Sequence, residues 1–91
     1  MYEKASKVFA SAEELINGAR QDSYGNATET ARRVGMAWSA LLGLGEPIPP
    51  FQVQSMMAML KIVRGNQDPA WEDSWVDGAA YIGLAREAID L

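Results

Sequence analysis

Residues 51–82 read FQVQSMMAMLKIVRGNQDPAWEDSWVDGAAYI. Val53, Met56, Met57, Leu60 and Val63 recur at three- and four-residue spacing, the period of an α-helix with one apolar stripe. The pattern predicts a third helix from Phe51 to Arg64 with Gly65 at the C′ position, where a residue of positive φ stops a helix. Asp68 then reads as an N-cap and Pro69 as the first residue of a fourth helix that runs almost to Leu91. Trp71, Trp75, Ala79, Ile82 and Ile89 share the face expected to enter the core. The connection between the two helices is short, so they are expected to pack as antiparallel neighbours.

Working outward, the segment 45–50 (GEPIPP) is a proline-stiffened connector. Before it, Asn26 reads as the N-cap of a second helix, with Glu29 three residues on as in a capping box. Ala27, Ala31, Val34, Trp38, Leu41 and Leu42 form its apolar stripe, and Gly43 and Gly45 end it. A first helix is expected within Glu3 to Ala19, on the spacing of Val8, Phe9, Ala12, Leu15 and Ile16. Arg20 to Gly25 reads as a turn rich in Asp, Ser and Gly. No stretch alternates as a strand would. The 91 residues therefore predict a single all-α domain, a small antiparallel four-helix bundle.

The composition excludes several chemistries. There is no cysteine and no histidine, so disulfides, thiolate metal sites and imidazole catalysis are all ruled out. Any catalysis would rest on carboxylates, lysine, tyrosine or a metal held by oxygens. A net charge of −4 argues against nucleic acid or an anionic membrane as partner. No apolar run approaches the roughly 20 residues that span a bilayer, and residues 1–10 lack a signal-peptide core. The chain reads as cytoplasmic.

The candidate chemistry gathers at one end of the expected helical hairpin. Lys61 and Arg64 lie three apart, and Asp73 and Asp77 four apart, so each pair shares a helix face. Tyr81 follows one turn beyond Asp77. Two carboxylates on one face can hold Mg²⁺, and the cations can bind phosphate oxygens. The same charges also complement the helix dipoles and could simply pair with one another. Arg20, Asp22 and Tyr24 offer a cation, a carboxylate and a stacking aromatic in one loop. Glu29 is a candidate metal ligand or, alternatively, the second half of the capping box.

Several strings then acquire a common meaning: residues 20–26 (RQDSYGN) with Glu29, Ala37-Trp38, Met56-Met57, residues 60–64 (LKIVR) and residues 73–81 (DSWVDGAAY). Together they resemble a family of small phage and prophage helical proteins, over roughly residues 12–85. That family looks distantly similar to the MazG-like all-α nucleoside triphosphate pyrophosphohydrolases. Those enzymes hold Mg²⁺ with a Glu-x-x-Glu motif on one helix and a Glu-x-x-Asp motif on another. Asp73 and Asp77 are a counterpart of the second motif at a spacing of four. The first has none, since Arg32 follows Glu29 where a Glu is needed. The resemblance implies Asp73, Asp77 and Lys61 as the reactive set, with Mg²⁺ on Glu29, Asp73 and Asp77. It implies Arg20, Asp22, Tyr24, Arg64 and Tyr81 around a nucleotide or related phosphorylated ligand, bound and in the fuller reading hydrolysed.

The alternative is a non-enzymatic interaction module that binds a host or phage protein. On that reading the Met-rich third helix and the tryptophans form a partner surface, and Lys61 and Asp77 make a structural salt bridge. If Met59, Ile62 and Leu44 are exposed together, they mark a dimer interface. A bundle of this size gains buried surface by pairing, so a homodimer is expected.

Overall fold

A computed structural model describes residues 1–18 and 26–90. Four helices lie among the described residues: α1 (Glu3–Asn17), α2 (Ala27–Leu42), α3 (Pro50–Gln67) and α4 (Glu72–Glu87). Among the described residues there is no strand, and the all-α, four-helix class expected from periodicity holds.

The ends of α2 are set by local chemistry. The Asn26 side chain accepts a hydrogen bond from the Glu29 amide at 3.1 Å, which satisfies one of the orphan donors of the first turn. At the other end Gly43 takes φ +68°. The Gly43 amide donates to the Ala40 carbonyl and the Leu44 amide to the Ser39 carbonyl, the paired bonds of a Schellman motif. The connector then folds back along α2. Ser39 donates its hydroxyl to the Glu46 carbonyl, and the Ile48 amide donates to the Gly35 carbonyl at 3.3 Å. Pro50 opens α3 at its first position, where a missing amide hydrogen costs nothing.

The boundary between α3 and α4 differs from the sequence reading. Gly65 does not end α3 but is buried inside it. A Cβ on Gly65 would meet the Trp75 ring at 3.1 Å, so the missing side chain lets the indole come close to the helix backbone. The Trp75 indole N–H donates to the Pro69 carbonyl at 3.0 Å and so fastens the turn from both sides. Asp68 is therefore the C-cap of α3, not the N-cap of α4, and α4 starts at Glu72 after Trp71.

Packing is most extensive between α3 and α4; α1 lies on α4, α2 lies on α3, and α2 meets α4 only marginally. The α3–α4 pair is antiparallel, with Gly65 against Trp75 and Lys61 against Gly78. Contacts of α1 advance in the same direction as α4, from Lys4–Phe9 beside Glu72–Ala79 to Ile16 beside Gly83. The buried positions are mostly small: Ala12, Ala31, Gly35, Ser39, Ala58, Gly65, Ser74, Gly78 and Ala80, with Val53 and Gln54. Small residues bring the helix backbones close.

Much of the large apolar surface expected in the core lies outside it. On α3, Val53 is buried and Met57 half-buried, but Met56, Leu60 and Val63 are 44, 47 and 52% exposed, beside Met59 at 60%. Trp71, just before α4, and Ile82 on it are both 58% exposed. The faces of α3 and α4 that meet carry Ala58, Lys61, Gly65, Asp77 and Gly78, with the Trp75 ring on Gly65, while Met56, Met59, Leu60 and Val63 of α3 stay exposed.

Candidate functional site

The α3–α4 seam brings two of the sequence-derived candidates, Lys61 and Asp77, together. Ala58 and Gly78 bring the two backbones together, and a Cβ on Gly78 would stand 3.4 Å from the Lys61 Cβ. In this narrow gap Lys61 Nζ lies 3.2 Å from Asp77 Oδ2, with the two side chains 22 and 26% exposed. The pair is half-buried and keeps part of its hydration. The ammonium has three donors, and one carboxylate does not use them all. Tyr81, half-buried, follows Asp77 by one turn of α4; Asp73, exposed, precedes it by one turn. Arg64, exposed, lies in the last turn of α3. The acidic first turn of α4, Glu72 and Asp73, and Arg64 also suit the helix dipoles.

Glu29 does not join this group. Its carboxylate accepts from Arg32 Nε at 2.8 Å and from Arg32 Nη2 at 2.6 Å, and Arg33 Nε adds a contact at 3.3 Å. Hydrogen bonds from Arg32, above all, hold its pKa down to about 2 against the opposing loss of hydration. Both oxygens are thus engaged on the surface of α2. Among the described residues no three carboxylates stand close enough to share a metal ion. The expected ligand set of Glu29, Asp73 and Asp77 is not assembled within the chain, and Glu29 serves α2 instead, with its amide on Asn26 and its side chain on two arginines. Arg20, Asp22 and Tyr24 lie outside the described residues.

One feature was not foreseen from sequence. A groove of about 460 Å³ between α1 and α4, with Ile62 of α3 at its side, is lined by Val8, Phe9, Trp75, Gly78 and Ile82. Its walls include Trp75 and Ile82, which periodicity alone placed in the core. Among the described residues, no helix is long and apolar enough to cross a membrane.

The chain matches the model of a domain of unknown function, DUF6378, over residues 7–89. It is 38% identical over 80 residues to the gene 55 protein of Mycobacterium phage L5, covering 88% of this chain and 51% of that protein. It thus spans about half the length of that curated relative. No solved structure matches it. The phage resemblance read from residues 12–85 falls inside the matched span. With a family model covering nearly its whole length and a phage relative at this identity, the chain belongs to the DUF6378 family.

Proposed function

We propose that the domain binds a small phosphorylated ligand of the nucleotide class at the α3–α4 seam. What supports this is the clustering of charge at one end of the α3–α4 hairpin: Lys61 pairs with Asp77, and exposed Arg64 and Asp73 lie one turn from each. The pair itself is equally what the interaction-module reading expects, so a ligand phosphate would have to take Lys61 from Asp77. Lys61 and Arg64 are the cations for phosphate oxygens, Arg64 by its planar fork. Tyr81 lies on the same face of α4 as Asp77. Mg²⁺ is often held by one or two carboxylates together with substrate phosphates and water, and Asp73 and Asp77 supply that number. Bound there, it would neutralise phosphate charge. Hydrolysis is the more demanding version of this reading; binding is the part the residues support.

The test is thermal unfolding with nucleoside triphosphates, with and without Mg²⁺. A ligand at a hundred times its Kd adds about 2.7 kcal/mol, roughly 10 °C or more for a domain of this size. Asp73→Asn and Arg64→Ala change exposed residues, so both should fold normally and show a reduced shift. The proposal fails if no nucleotide raises the melting temperature, or if these variants respond as the parent does.

A second reading is favoured by the α1–α4 groove, whose apolar lining suits the apolar face of a partner helix. Under it, a partner held by the parent chain is lost on Ile82→Asp and retained by Asp73→Asn.

A further inference from the structure

On α3 the residues Met56, Met59, Leu60 and Val63 stand at i, i+3, i+4 and i+7. This is the spacing of a seam that packs against another helix. All four are exposed, on the side of the helix opposite Ala58 and Gly65, which meet α4. Gln52 and Gln67 extend the same face, so it runs for about 22 Å without a charge, given 1.5 Å of rise per residue. We infer that this face is covered by the same face of a second copy of the chain, in an antiparallel α3–α3′ pairing about a twofold axis.

Three observations point to a second copy. The accessible surface is 6716 Å², whereas a folded monomer of this mass exposes about 5,200 Å². The surplus, about 1,500 Å², is what each subunit of an obligate homodimer buries. The radius of gyration is 14.1 Å against about 12 Å for a compact chain of this length. The face is also self-complementary. It is uncharged and methionine-rich, so two copies meet without repulsion and methionine side chains adapt to the fit.

Charge fixes the direction. Arg64 borders the stripe at one end. Parallel helices would set Arg64 beside its own copy. In an antiparallel pair that overlays the whole stripe on itself, Met56 lies level with Val63 of the other copy. Met59 then lies level with Leu60, and the two Arg64 residues separate by about 13 Å along the axis. The helix dipoles then oppose rather than reinforce one another.

The chain has no cysteine, so introduced thiols report contacts without background. The expected solution mass is twice the 9.9 kDa of one chain. Under mild oxidation, Met56→Cys alone and Val63→Cys alone should stay uncrosslinked, because each lies about 10 Å along the axis from its own copy, beyond the reach of a disulfide. Allowed to exchange subunits in an equimolar mixture, the two should crosslink to each other. Leu60→Glu, which alters a residue exposed on the single chain, should weaken association roughly a hundredfold by placing charge in an apolar seam. A monomeric mass for the parent would overturn the inference. So would single variants that crosslink by themselves, a mixture that does not crosslink, or an undiminished dimer of Leu60→Glu. Should Leu60→Glu unfold, the cysteine mixture still decides. None of these outcomes depends on whether a nucleotide binds.

Discussion

At the scale of single residues, the tightest constraints fall on glycines that let another group come close. A Cβ on Gly35 would overlap the carbonyl oxygen of Ile48 and press on Val53 Cγ2. The oxygen belongs to a backbone held by the Ile48 amide on the Gly35 carbonyl, so it cannot move without breaking that bond. Gly65 faces only the side chain of Trp75 at 3.1 Å, and a ring can shift by a few tenths of an ångström. Alanine is also the better helix former by about 0.5–1 kcal/mol, which offsets part of the strain at either site. Gly35→Ala should therefore cost about 3 kcal/mol, at the upper end of overpacking penalties. Gly65→Ala should cost about 1 kcal/mol or less. Urea unfolding of the two variants checks the ranking, and equal losses would mean that the Ile48 turn is looser than its hydrogen bond implies.

At the scale of elements, α2 shows how local signals and pairing combine. Asn26 caps its first turn, and Glu29, in that turn, gathers Arg32 and Arg33. The Glu29 carboxyl has a folded pKa near 2 against an ordinary value of 4.5. A depressed pKa means that the unfolded chain takes up the proton first, so the contribution is full above pH 4.5 and is lost as pH falls toward 2. The melting-temperature gap between the parent and Glu29→Gln should be constant above about pH 5, close by about pH 2, and shrink in high salt because the groups are exposed. A gap that widens on acidification would contradict the pairing. The ends of α2 were legible in the sequence because caps and glycine turns act within a few residues. The start of α4 was not. Gly65 and Asp68-Pro69 carry strong local stop and start signals, and a tertiary contact, the Trp75 ring on Gly65, overrode them. The Lys61–Asp77 pairing was legible from helical spacing and a short connection. The isolation of Glu29 was not, because its distance from Asp73 and Asp77 depends on how α2 packs against α3.

At the scale of the whole molecule, the apolar pattern and the single-chain fold disagree in an informative way. Periodicity reads Met56, Leu60 and Val63 as core, and spacing of that kind arises where a helix face is buried. Among the described residues no large side chain is fully buried, and the helices meet mostly through alanine, glycine and serine. A domain of about 90 residues with so little apolar burial has a thin margin against chain entropy. The missing burial has to come from another surface, and the α3 face has the size and the lack of charge to supply it. Folding then depends on chain concentration, because association stabilises by mass action. If unfolding is coupled to dissociation, a tenfold increase in protein adds about 1.4 kcal/mol per dimer, a rise in melting temperature of roughly 3–5 °C. Leu60→Glu, associating about a hundredfold more weakly, should melt at a lower temperature than the parent at the same concentration. A parent chain whose melting temperature is the same across a hundredfold range would show that α1 to α4 are stable alone, and that the exposed stripe on α3 is not needed to hold the fold.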